Sequence, residues 1–202
     1  MLSFRRSPPW DQVTYWALDV ETTGLDARRD ALLAVGMVPV RQGAIRLGEC
    51  WTSLVRPAAA LDIPVATMRA HHILPGDLER APALAPVLSA VLSRLRGGAA
   101  IVHHAAIDVA FLKAACRSTG LPWPGIPVVD TVDLLWRRAR RRRYATGEAP
   151  RDPELNLAAA RRAIGLPDYP AHDATTDAIA TAELFLVLRH ALGARTLREV
   201  RS

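Results

Sequence analysis

Three apolar runs crowded into the first 55 residues, Thr14 to Glu21, Ala31 to Val40 and Ile45 to Val55, set the tightest limit on what this chain can become. The first stops at Thr22-Thr23-Gly24, which suits a buried strand. Between the second and third lies only Arg41-Gln42-Gly43-Ala44, a hairpin connection whose glycine takes the positive φ. The runs therefore predict an antiparallel meander. Beyond Val55 the pattern changes. Helices are predicted at Val65 to His71, Ala83 to Arg96, Asp108 to Thr119, Val132 to Arg143, Leu155 to Ile164 and Thr175 to Leu192, several of them stopped by glycine. Short strands fall at Ala99 to Val102 and Val128 to Asp130, and Tyr144 to Pro153 reads as a flexible connection. A meander followed by strands alternating with helices predicts an α/β fold, a mixed five-stranded sheet with helices on both faces.

With 202 residues, half of them hydrophobic, the chain can build one sizeable core. Its expected organisation is a leader over residues 1–12, a single domain over 13–192 and a tail over 193–202. No apolar run approaches the roughly 18 residues of a membrane helix, so no membrane partner is expected. Cys50 and Cys116 stand far apart with no metal-ligand spacing, which excludes a disulfide scaffold and a zinc module and makes a reducing cytoplasm the expected compartment. The net charge of +6 is almost all arginine. It fits a polyanionic partner, and equally an arginine-rich codon bias.

Asp19 and Glu21 lie two residues apart at the end of the first strand, so they share one face. Two acids there mean either a strand end that has reached solvent or a site that neutralises them. Asp108 follows His103-His104 and precedes a helix, where it could serve as a cap. His172 and Asp177 are five residues apart ahead of an alanine-rich helix, and can converge if the histidine stays in the loop. The run Arg137, Arg138 and Arg140 to Arg143 reads first as a solvated helix face, and the five tryptophans read as packing residues.

Taken together, Asp19-Val20-Glu21-Thr22-Thr23-Gly24-Leu25, the His103 to Asp108 segment and His172-xxxx-Asp177 resemble the DEDDh 3′–5′ exonucleases. This is the DnaQ-like group that includes the proofreading subunit of bacterial DNA polymerase III. Ala70-His71-His72-Ile73 and Val129-Asp130-Thr131 match secondary features of the family. His104 stands where the family usually has asparagine, and Ile107 where it commonly has phenylalanine.

The resemblance implies a ribonuclease H-like fold and two divalent cations, Mg²⁺ or Mn²⁺, held by hard oxygen ligands. Asp19 would bridge both ions, Glu21 and Asp177 would complete the first site, and Asp108 would serve the second. His172 would be the general base. Thr22, Thr23, Gly24 and Leu25 would meet the terminal nucleotide, joined by His71 and His104. The expected partner is single-stranded nucleic acid with a free 3′ end, DNA favoured, with a DNA polymerase or repair complex as a further partner. The chain stops about ten residues past the last predicted helix, so the long polymerase-binding tail of the proofreading subunit is not expected. An RNA-trimming exoribonuclease of the same family and a non-catalytic nucleic-acid-binding module stand as alternatives.

Overall fold

The computed structural model describes residues 7–58, 63–146, 152–170 and 172–202. In chain order its elements are β1 (Tyr15–Thr22), β2 (Leu32–Arg41), β3 (Ala44–Ile45), β4 (Trp51–Leu54), α1 (Val65–His71), α2 (Pro75–Glu79), α3 (Leu84–Leu95), β5 (Ala99–Val102), α4 (Ala105–Thr119), β6 (Val128–Asp130), α5 (Thr131–Thr146), α6 (Leu157–Arg162), α7 (Ala174–Leu192) and α8 (Leu197–Val200). The sheet runs β3-β2-β1-β5-β6, with β4 also on β2. Strands β1 to β4 pair antiparallel, whereas β5 joins β1, and β6 joins β5, in parallel. Because β3 and β4 take successive stretches of one edge of β2, the sheet is five strands wide, as the sequence predicts.

Alternation along β1 divides the molecule into two apolar layers. Trp16, Leu18 and Val20 face the side covered by α3 and α4, where they meet Leu88, Val91, Phe111 and Leu112. Tyr15 and Ala17 face the side of α5 and α7, among Leu134, Phe185 and Leu188. The next residues in that second row are Asp19 and Glu21. The same pleat that seats the core thus aims both acids at α7.

Several boundaries differ from those the sequence predicts. The third run is broken at Leu47–Glu49 by a 3-10 turn, so it forms two short strands instead of one. In the hairpin, Gln42 shares the positive φ with Gly43 (52° and 75°). The short helix α2 was not anticipated; it starts on a proline, with the Asp77 carboxylate accepting the Leu74 N–H at 2.9 Å. Helix α4 begins a turn earlier than predicted. Asp108 therefore sits inside the first turn and is not its cap. Of the predicted flexible connection, Tyr144 to Thr146 close α5 and residues 147–151 lie outside the described residues.

The stretches read as leader and tail, where described, pack together. Trp10 donates its backbone N–H to Arg195 and its ring meets Phe185 edge-on at 6.4 Å. At the other end, the Ser202 hydroxyl accepts the Asp130 backbone N–H at 2.9 Å. Arg137 donates to the carbonyls of Glu199 and Arg201, and Arg141 to that of Leu192. Part of the arginine run is thus structural, not a purely solvated face.

The descent of α7 onto the sheet depends on one glycine. Gly36 pairs with Asp19 across β1 and β2. A Cβ there would lie 2.2 Å from the backbone carbon and oxygen of Ala174, the first residue of α7. Backbone cannot yield as a side chain tip can. Gly36→Ala is expected to destabilise the protein by at least the roughly 1–3 kcal/mol of an overpacked core, and to lower any activity that depends on the start of α7. Chemical denaturation checks the first effect. Wild-type stability in this variant would show that α7 does not need the close approach.

Candidate active site

Strand β1 outruns its parallel neighbour, with which it pairs only from Tyr15 to Ala17. Past that point its backbone needs other partners, and Asp108 supplies one: its Oδ1 accepts the Val20 N–H at 3.2 Å. Asp108 is 3% exposed. In the same cleft, Asp19, Glu21 and Asp177 each offer a carboxylate oxygen, all within 4.8 Å of one another. Among the described residues this is the sole such group of metal-competent side chains.

Asp177 comes from the first turn of α7, where three interactions set its position. The Asp173 carboxylate caps the helix, accepting from the Thr176 N–H and hydroxyl, each at 2.8 Å. The Asp177 backbone bonds the Asp173 carbonyl. Its Oδ2 accepts the His172 N–H at 2.8 Å. His172 takes a left-handed conformation, φ 66°, which keeps it out of the helix and exposes its ring beside the cleft. This is the geometry that a spacing of five allows.

Electrostatically the cluster is under strain. Burial, then repulsion from Asp108, Glu21 and Asp177, pushes Asp19 well above the usual carboxylate range. Asp108 is raised too, mainly by burial, against the lowering effect of its backbone hydrogen bonds. Glu21 is held at about 7 by burial and by the charges of Asp177 and Asp173, and its Oε1 is buried with no hydrogen-bond partner. Asp177 is raised less, because the His172 N–H offsets its burial. Oxygen donors crowded in this way suit a hard divalent cation.

Around the acids lies a second layer of polar contacts. Asp130 at the end of β6 accepts from the N–H groups of His104, Ala105 and Val132, so one carboxylate serves the starts of both α4 and α5. Burial pushes His103 down to about 4, so the ring is neutral near pH 7. Its Nε2 lies 2.7 Å from the Leu155 carbonyl and its Nδ1 2.7 Å from the Thr131 hydroxyl. A carbonyl only accepts, which places the proton on Nε2 and makes Nδ1 the acceptor. His104 Nε2 reaches the same carbonyl at 3.0 Å. Both histidines therefore hold the segment that leads into α6.

The cleft in front of the acids, about 440 Å³, brings together Asp19, Glu21, Asp108, His172 and Asp177 with Thr22, Leu25 and His104. Three expected contact residues are not in its wall. Thr23 is buried and its hydroxyl ties Asp30 to the Ala31 N–H. Gly24 packs so closely on Asp30 that a Cβ would lie 2.5 Å from the carboxylate. His71, the last residue of α1, is buried, its Nδ1 accepting the Ile73 N–H at 3.0 Å. Conversely, the wall includes Arg161 and Tyr169, which sequence reasoning did not single out. In the pair Arg161-Arg162 on a short helix, nothing in the sequence marks which charge is buried.

A family model for exonucleases, RNase T, matches residues 16–185. The chain belongs to this DnaQ-like exonuclease family. It is 32% identical over 190 residues to a DNA polymerase III subunit epsilon-like protein of Rhodobacter capsulatus, covering 94% of this chain and 25% of that one. It is 25% identical over 174 residues to the 3′-5′ exonuclease DinG of Staphylococcus aureus, covering 86% of this chain and 18% of the relative. The chain thus spans no more than a quarter of these relatives. Among solved structures, E. coli Exonuclease I in complex with a dT13 oligonucleotide superposes with a TM-score of 0.74 at 17% identity, over 90% of this chain and 42% of that one. A thermophilic Exonuclease I from Methylocaldum szegediense gives 0.74 at 23% identity, over 90% and 41%. These likenesses establish the ribonuclease H-like exonuclease fold.

The raised carboxyls make a prediction about the metal-free protein. A carboxyl whose folded-state pKa lies above its ordinary value favours the folded state at low pH, and that advantage is lost as pH rises. For Glu21 the window runs from 4.5 to about 7. With chelator present, Tm is expected to fall between pH 4.5 and about pH 7, and to fall less in Glu21→Gln. Calorimetry on both proteins measures the difference. Equal pH slopes would mean that Glu21 is not crowded.

Proposed function

We propose that the chain is a metal-dependent 3′–5′ exonuclease that releases nucleoside 5′-monophosphates from single-stranded nucleic acid, with DNA the favoured substrate. The observation that carries this reading is the cluster of Asp19, Glu21 and Asp177 oxygens within 4.8 Å at the floor of an open cleft. A non-catalytic binding module would have no need to hold these acids against their mutual repulsion. The preference for DNA is supported by the relative named for DNA polymerase III and by the oligonucleotide-bound Exonuclease I.

In this reading Asp19, Glu21 and Asp177 would hold one divalent cation, and Asp108 would help to hold a second. Bound there, Mg²⁺ or Mn²⁺ supplies charge relief at the phosphate and eases loss of the 3′-oxygen. The protein's own groups do the rest. His172 takes a proton from the water that attacks phosphorus, as the bond from phosphorus to the 3′-oxygen breaks and that oxygen leaves to be protonated. Its ring is free for this because its backbone N–H, not its side chain, is committed to Asp177. Leu25, 78% exposed at the cleft wall, offers an apolar surface to the terminal base. Thr22 keeps the turn in register by donating its hydroxyl to the Gly24 carbonyl at 2.6 Å.

The decisive experiment measures mononucleotide release from 3′- and 5′-labelled DNA and RNA oligomers with Mn²⁺. Preferential shortening of RNA would replace the DNA reading with an exoribonuclease. Asp19→Ala is expected to abolish turnover and the rise in Tm on adding Mn²⁺, while leaving the metal-free protein at least as stable as wild type, since a repulsive buried charge is gone. Turnover within a few-fold of wild type in that variant rules out the metal mechanism. His172→Ala is expected to lower kcat by about 10²–10⁴-fold, the range for a general base, with the Mn²⁺ response of Tm intact. Unchanged kcat would remove the histidine from the mechanism.

A further inference from the structure

Arg161, the second-last residue of α6, is 2% exposed and still lines the cleft. A guanidinium buried to that degree is costly unless its donors are matched. Here they are. One nitrogen donates to the Ala180 carbonyl at 2.7 Å; another donates to the Pro167 carbonyl at 3.0 Å and to Glu183 Oε2 at 2.7 Å. The plane lies over the Tyr169 ring, 4.6 Å from its centroid, and the Tyr169 hydroxyl donates to the other Glu183 oxygen at 2.9 Å.

These partners fall into two sets. Ala180 and Glu183 belong to α7, three and six residues beyond Asp177, whereas Pro167 and Tyr169 belong to the α6–α7 loop. Arg161 therefore pins the loop to the helix it leads into. Between Tyr169 and the first residue of α7, Ala174, only residues 170–173 remain, and His172 is among them. His172 is also held from the far side by its N–H on Asp177. A leucine at position 161 could pack α6 on α7, but it could not hold a backbone carbonyl of the loop or stack face-on with an aromatic ring in this way.

We propose that Arg161, with Tyr169 and Glu183, is a positioning residue that fixes the course of the α6–α7 loop and so delivers the His172 ring to the cleft. The proposal rests on the reading of His172 as general base. It touches neither the acids nor the reacting atoms directly; it acts through the histidine. A bound geometry off by about 1 Å costs up to roughly 10²-fold in rate, so loosening the pin should appear in kcat and not in KM.

A double-mutant cycle on the full chain tests this. Tyr169→Ala removes the stacking partner and leaves the Arg161–Glu183 ion pair in place, so folding is preserved; Arg161→Lys keeps the charge but loses the fork. Each is expected to lower kcat about 10–100-fold with KM and the Mn²⁺ rise in Tm unchanged. In a His172→Ala background the same substitutions should lower kcat by less than about twofold, because the group they position is already absent. Full multiplicative effects in that background, or unchanged kcat in Tyr169→Ala alone, would overturn the positioning role while leaving the base in place. Unchanged kcat in His172→Ala itself would bring down the base reading and this proposal with it.

Discussion

Asp19, Glu21, Asp108 and Asp177 meet at the end of β1, where burial and mutual repulsion both work against their charged forms. Two like charges about 4 Å apart repel by roughly 4 kcal/mol at an effective dielectric near 20. The rest of the fold can be understood as the means of holding them there. Stability comes from two apolar layers further back along the same strand, around Leu18 on one face and Phe185 on the other. The acids occupy the end of β1 that extends beyond β5, where the sheet no longer covers both sides and a cleft can open.

Helix α7 links stability and chemistry most directly. Its middle packs Ala178, Ala182, Phe185 and Leu188 against the sheet, and its first turn carries Asp177. Small alanines let the helix lie close, and Gly36 extends that closeness to its N-terminus, where any side chain would strike the Ala174 backbone. A helix held further out would keep its core contacts in part but would draw Asp177 away from Asp19 and Glu21.

Polar groups rather than apolar ones control the loops around the cleft. Asp130 serves two helix starts, His103 and His104 share the Leu155 carbonyl, and Asp30 braces the turn after β1 through the Asp26 N–H and the Thr23 hydroxyl. Hydrogen bonds are directional where apolar contacts are not. They can therefore set the aim of a backbone segment that has no core of its own. The family motifs Asp130-Thr131 and His103-His104 owe much of their place in this chain to that task, and His104 in the usual asparagine position still reaches a carbonyl.

Much of this was legible in the residues. Apolar runs and their stops located β1, β2, β5, β6 and most helices, because burial has a period that sequence displays. The shared face of Asp19 and Glu21 followed from the pleat, and the convergence of His172 on Asp177 from their spacing. Other features depended on distant partners. The break after Ile45, the interior place of Asp108 in α4 and the retreat of Thr23, Gly24 and His71 from the cleft wall are all settled by neighbours remote in the chain. So is the burial of Arg161, which looks like any surface arginine until Glu183, Ala180 and Pro167 close around it. Local pattern determined the elements and the chemistry they carry, since both are written in residue type and period. Only the packed structure decided which polar groups meet, because a hydrogen bond between residues 20 or 50 positions apart leaves no trace in either one's own stretch of sequence.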